Sequence, residues 1–300
     1  MRQGFHCHPN KLQRDSKMQS ALIVHSKHTK DYAKSISKKY KDVEFLEVTK
    51  QPTEEILNIK NDKDVVIGVG GGSVIDTAKI ISKDKRCIVI PTTAAGASMT
   101  PYATIWGREK ISIPTKKPIL MMKRNVPSKL PSNVLQSTLF DALSHAIESF
   151  WSKNATLQSR RYSKRAIQLI NSYLKNKDIN MLITAGNLAG QAIAITKTNV
   201  VHATSYPLTI KYGISHGTAC GMLLPHFVSY MDFKELPKLF NLGSTEELVV
   251  SLKKLFIPPK IENLNVKLIA KMAMRYDRVN HGPKKISKKS LEMILGKIEQ

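Results

Sequence analysis

The stretch Val65-Val66-Ile67-Gly68-Val69-Gly70-Gly71-Gly72-Ser73-Val74-Ile75-Asp76 decides the fold. It opens as a short β-branched run, the composition of a strand buried on both faces. Three successive glycines follow, and then a pattern that predicts a helix over 73–82. Strand, glycine turn and helix in that order begin a parallel βαβ arrangement. Without Cβ atoms, Gly70, Gly71 and Gly72 can bring backbone N–H groups close to a pyrophosphate, and Ser73 opens a helix whose N-terminus favours that charge. The spacing is not G-x-G-x-x-G, and a tight turn needs glycines too. Asp76 serves either this loop or the dipole of the first helical turn.

Working outward, residues 21–24 and 43–48 predict further strands, with a polar helical stretch between them. Residues 53–59 predict a short helix with Thr53 as its cap, and 87–90 a strand stopped by Pro91. That strand runs into a second small-residue loop, Pro91-Thr92-Thr93-Ala94-Ala95-Gly96-Ala97-Ser98. Two such loops at neighbouring carboxyl ends of parallel strands point to a nucleotide site, with Thr92, Thr93 and Ser98 as further candidates. Beyond residue 130 the pattern changes. Pro131-Ser132-Asn133 is a stop and a cap signal, and helical periodicity follows over 134–151, 159–174, 179–196 and 264–274. The expectation is an α/β domain over 1–130 with a mostly parallel sheet, and a helical domain over 131–300, with a ligand cleft between them.

Composition narrows the function classes. The chain has 300 residues, 42% hydrophobic and 23% charged, which is a globular balance. No apolar run approaches the roughly 18 residues of a membrane span, and the first ten residues lack a signal-peptide core. Three scattered cysteines, Cys7, Cys87 and Cys220, argue for a reducing cytoplasm and against a disulfide framework. The net charge of +24 raises a nucleic-acid reading. Its lysines are spread in short pieces, however, so a solvated surface and an anionic substrate account for it better.

The helical half holds a second constellation. Asp141 and His145 are four apart in Leu139-Phe140-Asp141-Ala142-Leu143-Ser144-His145, which sets an oxygen and an imidazole one turn apart on one face. A polar stripe beside a packed face has the same spacing. His202 and His216 lie in apolar or glycine-rich surroundings, where either a ligand or a satisfied core histidine fits.

The glycine turn with Asp76-Thr77-Ala78-Lys79, the Pro91-Thr92-Thr93-Ala94 loop, Asp141-x₃-His145 and the pair His202 and His216 follow in the order of one family. The chain from about residue 20 onward resembles the iron-containing (group III) alcohol dehydrogenases. That resemblance implies a Rossmann-like α/β domain and an all-α domain, with Asp141, His145, His202 and His216 holding Fe(II) or, in some members, Zn(II). It implies NAD(P)H as cofactor, with Lys110 as a ribose contact. The string His202-Ala203-Thr204-Ser205-Tyr206-Pro207-Leu208-Thr209 is similar to the phosphonoacetaldehyde reductase branch, as are Thr100-Pro101-Tyr102 and Asn280-His281-Gly282-Pro283. The loop Ala94–Met99 departs from the family's AGTGSE by one residue and an acid, and Tyr206 stands where many members have histidine.

The implied reaction reduces an aldehyde to a primary alcohol, phosphonoacetaldehyde to 2-hydroxyethylphosphonate in that branch. Lewis-acid help from the metal and hydride from the nicotinamide would drive it. Tyr206 is a candidate proton relay and Lys211, between the third and fourth ligands, a candidate for the substrate's anion. His25-Ser26-Lys27-His28 has no acid after the first strand, which points to NADPH being used at least as well as NADH. A general aldehyde reductase, or a nucleic-acid-binding protein on an inactive scaffold, are the competing readings. The expected partner is a small anionic aldehyde, without specific nucleic acid or membrane, in a cytoplasmic protein that forms a homodimer.

Overall fold

Apolar β-branched runs separated by helices assemble into one parallel sheet. The computed structural model describes residues 20–122, 130–256 and 258–298. Among the described residues, the first compact unit comprises 20–93, 97–107 and 111–122. Its strands β1 (Ser20–His25), β2 (Asp42–Glu47), β3 (Val65–Gly70), β4 (Arg86–Pro91) and β7 (Ile119–Leu120) stand in the order β2-β1-β3-β4-β7, all parallel. Strand β3 is buried throughout, which is why its sequence does not alternate. Helices α1 (Lys30–Ser37) and α2 (Gly72–Ser82) connect the strands. One apolar cluster includes Val66, Val74, Ile75, Ala78 and Val89, and a second includes Ile23, Ala33, Ile67, Ile88 and Ile90.

The fold class therefore stands, with corrections inside it. Residues 102–114 form a two-stranded sheet, β5 (Tyr102–Trp106) with β6 (Lys110–Pro114), that propensity alone did not predict. Pro91 belongs to the strand it was expected to stop: it pairs with Gly70 as the last residue of β4. Thr53 occupies the cap position of a 3₁₀ turn (Glu54–Asn58) without a side-chain capping bond. Two of the glycines answer to packing. A Cβ at Gly68 would lie 2.8 Å from Ala78 Cβ, and one at Gly70 2.7 Å from Val74 Cγ2, so α2 can approach β3 only over bare backbone.

Among the described residues, the second unit comprises 94–96, 108–110, 130–256 and 258–298. It is built from α3 (Ser132–Trp151), α4 (Leu157–Asn176), α5 (Ile179–Thr196), α6 (Val200–Tyr212), α7 (His216–Met231), α8 (Thr245–Lys254), α9 (Val266–Ala273) and α10 (Lys288–Gly296). Its core includes Phe140, Leu143, Ile147, Ile167, Leu188, Leu223 and Phe227. Thr156 and Ser159 form a capping box at the start of α4. Helix α5 corrects the expectation that no run reaches membrane-spanning length: it is apolar and long enough by composition, yet more than half of it is buried in this unit. Gly186 and Gly190 on α5 let the backbone of Ala94 and Gly96 lie directly against it. Helices α6 and α7 escaped the periodicity analysis because both are largely buried all round and each contains a proline, Pro207 or Pro225.

Candidate metal centre

Four side chains from three helices converge in the second unit. Asp141 and His145 sit one turn apart in the buried stretch of α3. His202 lies in the first turn of α6, and His216 is the first residue of α7. From Asp141 Oδ1 the Nε2 atoms are 3.8 Å (His145), 3.4 Å (His202) and 3.5 Å (His216) away. Ligands at 2.0–2.1 Å in a tetrahedral site are themselves about 3.3 Å apart, so each imidazole stands near the distance from Asp141 that a shared dication requires.

The proton positions agree with that reading. Glu148 is wholly buried, and its Oε2 lies 2.6 Å from His202 Nδ1. Nδ1 therefore carries a proton, an assignment that rests on the partner; burial opposes a charged ring, but its anionic neighbours hold His202 well above its usual value, so a metal would displace a second proton from Nε2. Ser205 Oγ donates to His202 O at 2.8 Å, which leaves its lone pairs for His216 Nδ1 at 3.2 Å. The Nε2 atoms of both rings thus face the Asp141 carboxylate oxygen. Asp141 Oδ1 and His202 Nε2 are buried without a hydrogen-bond partner. Buried donor atoms aimed at one another in a dry site and lacking hydrogen-bond partners are what a bound cation would satisfy, so these residues fit a divalent metal.

Electrostatics prepares the donors at neutral pH. Burial pushes the His145 imidazole down to about 3, partly opposed by the Asp141 charge, and burial likewise holds His216 well below its usual value. Burial opposes ionisation of Asp141, but the surrounding imidazoles outweigh it and hold its carboxyl below the usual carboxylate range. The metal has no proton to displace from any of these three. Burial pushes the thiol of Cys220 up.

Glu148 had no assigned role in the sequence, although it extends the stripe of Asp141 and His145 by one turn. Residues i, i+4 and i+7 share a helical face, and that spacing was the available signal. Its carboxylate also accepts the backbone N–H groups of Asn199 (2.9 Å) and Val201 (2.5 Å), so it caps α6 while it holds the ring of His202. Asn199 is fixed in turn by Trp151 Nε1 at 3.0 Å.

Beside the centre, the buried Tyr206 ring stacks on His216 with centroids 5.5 Å apart. Lys110 Nζ donates to Tyr206 Oη at 3.0 Å and stands 4.1 Å from the ring centroid. Burial alone would raise the phenol, but the charges of Lys110, His202 and Arg278 reverse that and bring it down to about 8. Arg278 Nη1 donates to Thr198 Oγ1 at 3.3 Å, and Thr198 Oγ1 lies 3.4 Å from Tyr206 Oη. Lys110, expected at the cofactor ribose, is thus placed against Tyr206 within the helical unit.

Lys211 is a correction of a different kind. It lies exposed on the last turn of α6 and makes no hydrogen bond or ion pair with the cluster. Nine residues at 100° each set it roughly 180° round the helix from His202, whereas Tyr206, four residues on, shares the face of His202.

In the α/β unit, the two small-residue loops lie side by side. Gly70 pairs with Pro91, and Thr92 N–H donates to Gly70 O at 3.0 Å. Gly71 caps α2 without a side chain across its N-terminus. A Cβ on Gly71 would come within 3.2 Å of Thr93. Ser73 is in the first turn of α2, and Thr92 and Ser98 are buried. Asp76 is not in that first turn; its carboxylate accepts Thr104 N–H at 3.1 Å and pairs with Lys79 at 3.6 Å, so it anchors β5 to α2. Lys27 stands exposed just beyond the carboxyl end of β1, which lies next to β3.

Comparison with known proteins agrees with this geometry. The "Iron-containing alcohol dehydrogenase" family matches residues 6–127, and the "Fe-containing alcohol dehydrogenase family, C-terminal" matches residues 136–298. A phosphonoacetaldehyde reductase of Streptomyces viridochromogenes is 27% identical over 78% of this chain and 75% of its own length. A 4-hydroxybutyrate dehydrogenase of Clostridium kluyveri is 30% identical over 63% of the chain and 60% of its own. Among solved structures, an iron-containing alcohol dehydrogenase of Thermotoga maritima superposes with a TM-score of 0.79 at 25% identity, covering 93% of this chain and 91% of the other. A sulfoacetaldehyde reductase of Bifidobacterium kashiwanohense, solved with NAD+, shares the fold with a TM-score of 0.82 at 22% identity, covering 94% and 91%. The fold and the matches define a metal-dependent alcohol dehydrogenase or aldehyde reductase. The chain belongs to the iron-containing alcohol dehydrogenase family.

Proposed function

We propose that this protein is an iron-dependent NAD(P)H reductase of small anionic aldehydes, with phosphonoacetaldehyde as substrate and 2-hydroxyethylphosphonate as product. The observation that carries the reaction is the convergence of three imidazole Nε2 atoms on Asp141 Oδ1. A bound Fe(II) supplies Lewis-acid polarisation of a carbonyl oxygen, and a bound nicotinamide supplies the hydride.

The rest is work for the chain's own groups. Asp141, His145, His202 and His216 hold the metal, while Glu148 and Ser205 fix the rings of His202 and His216. Tyr206 Oη holds the proton that the product alcohol needs, and Lys110 makes its release easier by stabilising the phenolate. Gly70, Gly71, Gly72, Ser73, Thr92 and Thr93 take the cofactor pyrophosphate at the uncapped start of α2. Lys27, with no acid beside it after β1, accepts the 2′-phosphate of NADPH.

Two facts support an anionic substrate. A relative matched over 78% of this chain is named a phosphonoacetaldehyde reductase, and two cations, Lys110 and Arg278, flank Tyr206 beside the centre. They replace Lys211 as the groups proposed to meet the phosphonate. The test is oxidation of NADH and NADPH by anaerobically iron-loaded protein, with phosphonoacetaldehyde beside uncharged aldehydes of similar size. A kcat/KM at least tenfold higher for the phosphonate supports the substrate, and equal values reduce the assignment to a general aldehyde reductase.

A further inference from the structure

Cys220 lies on α7 four residues after His216, on the same helical face and one turn further in. It is wholly buried, and its sulfur faces His202 and Ser205. One donor atom from each of Asp141, His202, His216 and Cys220 lies within 4.8 Å of all the others. Two of these donors, Asp141 Oδ1 and His202 Nε2, are buried and have no hydrogen-bond partner. The centre therefore holds five candidate donors, two more than an open catalytic site requires from the protein.

We propose that Cys220 is a metal ligand, and that Asp141, His202, His216 and Cys220 form a second donor set for a thiophilic dication such as Zn(II), with the sulfur in place of His145. This rests on the reading of the cluster as a metal centre. Zinc–sulfur bonds near 2.3 Å and zinc–nitrogen bonds near 2.05 Å put tetrahedral S and N donors about 3.6 Å apart. A sulfur–nitrogen pair at the limit of 4.8 Å needs to close by about 1.2 Å, within reach of a cysteine rotamer. On binding, the S–H bond breaks, the metal–sulfur bond forms and the proton leaves to solvent, without any redox change. Two anions then neutralise the dication, whereas the set with three imidazoles leaves it at +1. Soft thiolate favours zinc over iron, while imidazole suits both, so this cysteine biases the centre towards zinc.

Cobalt(II) is the probe, since thiolate ligation gives it an intense near-ultraviolet charge-transfer band that imidazole and carboxylate do not. The full chain, stripped of metal and titrated with one equivalent of Co(II), should show that band. His145→Ala should keep it, and Cys220→Ser should lose it while still binding cobalt. Chelator competition gives the second readout. Loss of an outer-shell partner costs roughly 10–100-fold in metal affinity, and loss of the sulfur should weaken Zn(II) by at least that much while changing Fe(II) less than threefold. One equivalent of cobalt bound without the sulfur band, or equal losses for zinc and iron, overturns the role of Cys220 alone. Failure of the wild type to bind cobalt overturns the metal centre itself.

Discussion

Replacing Glu148 by Gln removes one charge from a wholly buried group while keeping its shape, and the expected damage can be worked out from its contacts. The carboxylate accepts from Asn199 N–H, Val201 N–H and His202 Nδ1. An amide can offer only its carbonyl oxygen, and its NH₂ must then face an N–H group that already donates. A charged hydrogen bond contributes about 1.5–3 kcal/mol, so the metal-free protein should lose about that much stability. The His202 ring also loses the partner that keeps its proton on Nδ1. Outer-shell carboxylates of this kind are worth roughly 10–100-fold in metal affinity, or about 1.4–2.8 kcal/mol at 1.4 kcal/mol per decade. Chelator competition with Zn(II) and Fe(II) measures the loss, and circular dichroism at the same temperature shows whether the variant is folded. Glu148→Asp, which keeps the charge on a shorter arm, should recover part of the affinity. A folded Glu148→Gln protein that binds both metals within twofold of the wild type would refute the reasoning, because the carboxylate would then be only a cap for α6.

Four further outcomes follow from other parts of the molecule. Tyr206→Phe should lower kcat by about 10²-fold or more, the usual contribution of a positioned proton donor. Lys110→Met should move the basic limb of the pH–rate profile upward from about 8, because the charge that lowers the phenol is gone; an unmoved limb would show that another group titrates there. Lys27→Glu should turn the cofactor preference towards NADH by about tenfold or more, through repulsion of the 2′-phosphate, and unchanged ratios of kcat/KM would remove Lys27 from the site. Burial, then the charges of Lys253 and Lys297, push His226 down to about 4, below the value near 6.5 of an unfolded chain. The unfolded state therefore binds the proton first, so this contribution is complete above about pH 6.5 and is lost as pH falls towards 4. Denaturant midpoints followed at Trp151 in a Trp106→Phe background should fall between pH 7 and pH 5, and His226→Asn should flatten that fall.

What could be read from the sequence divides along a physical line. Features fixed within one element were legible: the buried β-branched strand β3, the glycine turn behind it, and the one-turn spacing of Asp141 and His145 all declare themselves by local periodicity. Features fixed by packing between elements were not. Helices α6 and α7 are largely buried all round and contain prolines, so no amphipathic stripe marks them; the surroundings of His202 and His216 left ligand and core histidine equally open, and only resemblance to a family made them ligands. Two misplaced residues show the same limit. Lys211 lies between two ligands in the chain, but helical rotation carries it to the far side of α6 from His202. Lys110 lies in a strand of the other half by sequence, yet it donates to Tyr206, 96 residues away. Glu148 is the instructive intermediate case. Its i+7 position was visible, but its meaning depends on which helix N-terminus meets that stripe, and only the fold brings Asn199, Val201 and His202 to it. A carboxylate that caps one helix and orients a ligand of the same helix couples folding of α6 to assembly of the centre. Metal affinity and local stability should therefore fall together at this residue, whereas at Cys220 they should separate.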